Sequence, residues 1–120
     1  MLNISSAYSP DPPECFISPM KWGIESHVIE RFAGAGVPKE KISFSRDTFT
    51  FKFAGAPSAY VTEFRTYYGP TMNAFDAAAK NGRADDLQKE LETLFESQNT
   101  SPRKDATSIP ATLLRVTVAL

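Results

Sequence analysis

The chain has 120 residues, 42% of them hydrophobic and 22% charged, a balance that excludes a disordered tail or a fibre and suits one domain or less. Thirteen Lys+Arg against fourteen Asp+Glu leave a net charge of −1, without the basic excess of a dedicated nucleic-acid binder. One cysteine, Cys15, and one histidine, His27, exclude an internal disulfide and a cysteine-built zinc centre and leave little for a His-based cluster, so no metal site is expected.

Residues 1–20 hold Pro10, Pro12, Pro13 and Pro19, which remove backbone donors and disfavour helix in the residues before them. They are expected to form an extended arm, with the remainder, 21–120, as the folded region. No run of about 18 apolar residues is present, so no membrane-spanning helix is expected. The opening MLNISSAYSPDPP lacks the charged start and apolar stretch of a secretory signal, which makes the cytoplasm the expected compartment.

Ile24, Val28 and Phe32 fall on one stripe and predict a helix over 23–33, with Gly34 and Gly36 to stop it. Residues 41–53 alternate, but the apolar phase slips from even (Ile42, Phe44) to odd (Phe49, Phe51, Phe53). A β-bulge or break near Ser45–Asp47 would reconcile the halves. Pro57 suits a helix start, and that helix is predicted to run to Tyr68, where Gly69-Pro70 breaks it. A second helix follows to Asn81-Gly82, and a third spans about 83–97 with Leu87, Leu91, Leu94 and Phe95 on one side. Residues 98–110 are polar with two prolines and read as loop. The closing TLLRVTVAL is a strand with Leu114, Val116, Val118 and Leu120 on one face.

The expected fold is therefore α+β: a two-stranded antiparallel ribbon with about four helices. Such a ribbon is marginal alone, and its open apolar side points to a second copy or to a partner chain.

The sequence contains no phosphate-binding loop and no nucleophile elbow. Gly34-Ala35-Gly36 follows a helix instead of a strand, so it reads as a turn rather than a nucleotide cradle. Cys15 has no histidine near it in sequence, His27 reads as a helix-surface residue, and Asp85, Asp86, Glu90 and Glu92 read as a solvated face. No catalytic residue emerges. The segment Phe64-Arg65-Thr66-Tyr67-Tyr68-Gly69-Pro70-Thr71 is the most distinctive. Two phenols and a guanidinium at one helix end suit the wall of a small-molecule pocket.

Three runs in this order, Pro-Met-Lys-Trp-Gly-Ile-Glu-Ser-His-Val (19–28), Asp-Thr-Phe-Thr-Phe-Lys-Phe (47–53) and Phe-Arg-Thr-Tyr-Tyr-Gly-Pro-Thr-Met-Asn-Ala-Phe (64–75), followed by the strand at Ile109–Leu120, resemble the C-terminal portion of a class I S-adenosylmethionine-dependent methyltransferase, of the type 11 or ubiquinone/menaquinone-like kind. The resemblance implies a partial Rossmann-like fold: the last two strands of a seven-stranded sheet and their helices. It implies S-adenosylmethionine as the cofactor of the full-length family. None is expected on this chain, because the family's first strand, Gly-rich turn and acidic ribose partner precede the matching region. By resemblance, Arg65, Tyr67 and Tyr68 line the substrate pocket. The implied function is a truncated methyltransferase-like protein, inactive alone, whose partner is the missing N-terminal half. A non-enzymatic dimerisation module, its homo-oligomer formed through the ribbon, and a small-ligand binder using the Tyr-rich helices are the alternatives.

Overall fold

A computed structural model describes residues 1–119. Its elements are helix α1 (Leu2–Tyr8), helix α2 (Glu25–Gly34), strand β1 (Ile42–Phe53), helices α3 (Pro57–Tyr67), α4 (Gly69–Lys80) and α5 (Ala84–Gln98), and strand β2 (Thr107–Val118), with 3-10 turns at Pro19–Gly23 and Lys39–Lys41. The class is α+β with a two-stranded antiparallel sheet, and the five α-helices exceed the expected four.

The chain divides into two compact units. The first contains Met1–Pro12 and Thr50–Pro110 and holds the main core. Here α5 presents Leu87, Leu91 and Phe95, spaced at i, i+4 and i+8, as its buried stripe. Val61 on α3 and Ala74, Phe75 and Ala78 on α4 meet that stripe. Removing a leucine-sized side chain from water contributes about 1.5–3 kcal/mol. The small Ala74 and Ala78 keep α4 close to its neighbours.

The expected extended arm is helical at its start. Helix α1 packs on α4 and α5 and buries Tyr8. Seven residues are too few for an isolated helix, so its stability comes from this docking, which the local sequence does not announce. The polyproline stretch after it lies outside any helix or strand.

The second unit comprises Pro13–Phe49 and Ala111–Leu120. Leu120, expected on one face of the last strand with Leu114, Val116 and Val118, lies outside the described residues. Helix α2 starts at Glu25, so Ile24 precedes it and is 47% exposed, whereas Val28 is fully buried. The helix closes as the glycines predict. Gly36, at φ 81°, donates to Ala33 C=O, and Val37 N–H to Phe32 C=O. The same pair of bonds ends α4, from Gly82 (φ 68°) to Ala79 and from Arg83 to Ala78.

Strand β1 runs without interruption where a break was expected. Its buried or half-buried positions are Ile42, Phe44, Asp47, Thr50 and Phe53, while Phe49 and Phe51 of the expected odd face are exposed. Asp47 faces Arg115 of β2 across 2.8 Å, a close ion pair not aligned as a hydrogen bond. Strand β2 begins at Thr107 and includes Pro110, inside the expected loop. The reason lies in the register. Ala119 N–H donates to Lys41 C=O, and in an antiparallel ladder the backbone groups of successive residues point to alternate edges. Odd residues of β2 therefore face β1, and even residues face outward. Proline at 110 loses no ladder bond there. Ser108, also outward, has both backbone groups occupied, its N–H by Asn99 Oδ1 (2.8 Å) and its C=O by Thr100 N–H (2.8 Å).

Candidate functional site

The Tyr-rich junction of α3 and α4 is the site expected from sequence. Pro57 opens α3, and the Gly69-Pro70 pair forces a new helix to start at once. This places Phe64, Arg65, Tyr67 and Tyr68 at the end of α3. A row of aromatic rings leads to it. Phe53 stacks on Tyr60 with ring centres 4.7 Å apart, Tyr60 meets Phe64 at 5.0 Å, and Phe64 meets Tyr68 edge-on at 5.5 Å. Phe95 of α5 closes against both Tyr60 and Phe64. Burial pushes the Tyr60 phenol above its ordinary value.

Arg65 lies with its guanidinium 4.4 Å from the centre of the Phe75 ring and donates to Gln88 Oε1 at 3.3 Å. Gln88 in turn donates to Glu92 Oε1 at 2.7 Å. The three expected residues do not share one pocket wall equally. Arg65 is held flat over Phe75, Tyr68 is 37% exposed at the end of the aromatic row, and Tyr67 is 77% exposed. Among the described residues none of the three contacts a carboxylate or imidazole that would act as a base. The arrangement offers stacking area, hydrogen-bond donors and one cation, which is binding surface.

A second cluster was not read from the sequence. The Tyr8 hydroxyl donates to Glu90 Oε1 at 2.6 Å. Arg83 lies over the Tyr8 ring at 4.4 Å, with its Nε 3.7 Å from Asp86. The bond to Glu90 raises the Tyr8 phenol above its usual range, with desolvation adding in the same direction. Glu90 stays exposed, as expected of the solvated face, with one oxygen accepting from Tyr8. The partners are 82 residues apart, and no local signal links them. With Tyr8 buried, this cluster works as a tie between α1 and α5.

His27 is partly exposed on α2 beside Glu30, and Cys15 is exposed with φ 69°. Among the described residues no group of three His, Cys, Asp or Glu side chains could hold a metal ion, and no helix is long and apolar enough to cross a membrane. Compared with known protein families, curated proteins and solved structures, the chain matches none.

Proposed function

We propose that this chain is the C-terminal part of a class I S-adenosylmethionine-dependent methyltransferase for small molecules. In this reading it contributes the last two strands of the sheet and the helices bordering the substrate pocket. The observation that supports it best is where the resembling runs fall. Residues 19–28 form a turn leading into α2, residues 47–53 lie in β1, residues 64–75 span the α3–α4 junction, and residues 109–118 lie in β2. The strands β1 and β2 are neighbours although three helices separate them in sequence. A ribbon this thin is what the end of a larger sheet would be, since two strands alone are marginal.

The methyl donor does not fit the residues present. Its Gly-rich cradle would need free backbone amides at a helix start. The one Gly-x-Gly here closes the C-terminal end of α2, where the amides of Gly36 and Val37 are already bonded to Ala33 and Phe32. That end carries the negative pole of the helix dipole, which disfavours phosphate or carboxylate groups. The chain's own share is the pocket border, with Arg65 held in place and Tyr67 and Tyr68 at the accessible end of the aromatic row.

The test is to read the coding DNA upstream of Met1. An in-frame segment encoding a strand, a Gly-rich turn and a helix is expected; its absence overturns the reading. Calorimetry of the 120-residue protein with millimolar S-adenosylmethionine is expected to give no saturable heat. Saturable binding would place a donor site within this chain and reject the assignment to its missing half.

A further inference from the structure

We propose that the α3–α4 junction binds a small aromatic carboxylate, with Arg65 as its charged anchor. As a statement about substrate, this rests on the reading of the junction as a pocket border, and it names the class of molecule that border takes.

An ordinary surface arginine is mobile and favours no ligand geometry. Arg65 is fixed from two sides. Its guanidinium lies over the Phe75 ring, 4.4 Å from the ring centre, and donates to Gln88 Oε1 at 3.3 Å. A guanidinium has five N–H donors, and among the described residues Gln88 is the one side-chain acceptor on it. Its charge is also uncompensated. Among the described residues no carboxylate lies within ion-pair distance of Arg65. The nearby acid Glu92 accepts from Gln88 Nε2 at 2.7 Å instead. A neutral carboxamide thus holds the cation in place without neutralising it.

The start of α4 adds donors of the same kind. Gly69 opens this 12-residue helix and is exposed, and among the described residues its N–H has no partner. Thr71, in the same turn, is fully buried, and among the described residues its hydroxyl is unpartnered. The Cα–Cβ bonds of a helix tilt toward its start, which aims this hydroxyl at the N-terminal end. Thr71 and Phe75 are i, i+4 neighbours on one face of α4, so the hydroxyl shares that face with the guanidinium lying over Phe75. A guanidinium fork, an amide at the positive end of a helix dipole and an unpaired hydroxyl all lack an acceptor. A planar carboxylate presents two acceptor oxygens in the geometry that a guanidinium prefers. One uncompensated cation matches its single charge better than that of a phosphate dianion.

The rings select the rest of the ligand. Tyr68 ends the aromatic row at its accessible side, with the exposed Tyr67 beside it. Tyr68 follows Arg65 by three residues, the spacing of neighbours on a helix surface. An aromatic ring on the carboxylate gains contact with the phenol of Tyr68 while its charged end reaches Arg65.

The test is a titration of the 120-residue protein with benzoate, followed by nuclear magnetic resonance of the backbone amides and the arginine Nε groups. Benzamide keeps the ring without the charge, and acetate keeps the charge without the ring. Benzoate is expected to saturate with a Kd of roughly millimolar order, shifting the Arg65 Nε and Gly69 amide signals, and both controls to bind about tenfold more weakly or less. Arg65→Gln should cost about tenfold in affinity, and Arg65→Lys, which keeps the charge but not the fork, should restore only part of it. Thr71→Val should weaken benzoate binding without lowering the Tm. If the Arg65 variants misfold, the comparison of benzoate with benzamide on the unaltered protein decides. Equal affinity for these two, benzoate binding indifferent to Arg65→Gln, shifts centred away from the junction, or no saturable binding overturns the proposal. The result is separable from the methyltransferase reading. An in-frame upstream segment without benzoate binding removes the ligand class alone, and benzoate binding without that segment leaves a carboxylate site while the methyltransferase reading falls.

Discussion

The hydroxyl of Tyr8 donates to Glu90 at 2.6 Å, closing a link between α1 and α5 beneath the guanidinium of Arg83. The phenol's affinity for its proton is raised in the folded state, first by this bond. A group whose folded value lies above its unfolded value contributes stability that is fully present below the unfolded value and lost as pH rises through the folded one. Tyr8→Phe is therefore expected to lower the Tm at neutral pH. The gap between the two proteins should narrow as pH climbs past 10.0, the ordinary value for the phenol. Parallel thermal melts of the two proteins against pH check this.

Gly55 sits where an added Cβ would overlap the Phe53 ring, which is stacked on Tyr60. Its carbonyl also accepts from the Thr107 hydroxyl at 2.8 Å. Gly55→Ala should cost about 1–3 kcal/mol, the usual range for overpacking. Urea denaturation measures the cost, and a weakened aromatic circular-dichroism signal would report the broken stack.

Asn99 accepts from the amides of Ser101 and Ser108 and donates to Ala106 C=O. One side chain thereby holds the turn into β2 and covers the strand's edge. Asn99→Ala should destabilise by about 1–3 kcal/mol, because Ser108 N–H loses its acceptor. Faster hydrogen exchange at that amide is the specific readout.

The two ends of the aromatic row should respond differently. Phe64→Ala removes a ring in contact with Tyr60, Tyr68 and Phe95, and about 3 kcal/mol of stability should go with it. Tyr67→Ala, at an exposed position, should stay within about 0.5 kcal/mol. A large loss at Tyr67 would mean that its ring is packed in solution.

Thr71 is fully buried on α4, and among the described residues its hydroxyl has no hydrogen-bond partner. An unsatisfied buried hydroxyl is a cost, so the isosteric Thr71→Val should leave stability unchanged or raise it by about 1 kcal/mol. Chemical denaturation that showed a loss instead would reveal a partner for the hydroxyl.

The helices α2 to α5 and their limits were legible from residues close together in the chain. Gly34 and Gly36, Gly69-Pro70, Asn81-Gly82 and the Leu87–Leu91–Phe95 stripe act through local dihedral limits and a 3.6-residue period, and both are properties of the sequence itself. The Tyr-rich junction was visible for the same reason, although the holding of Arg65 by Phe75 and Gln88 was not. Tertiary structure alone decided the helicity of residues 2–8, the strand through Pro110, and the bond between Tyr8 and Glu90. In each case local preference was weak or opposed, and the balance was set by a partner far along the chain: the flank of α4 for a helix too short to stand alone, the β1 ladder for an outward-facing proline, and a carboxylate on α5 for a buried phenol.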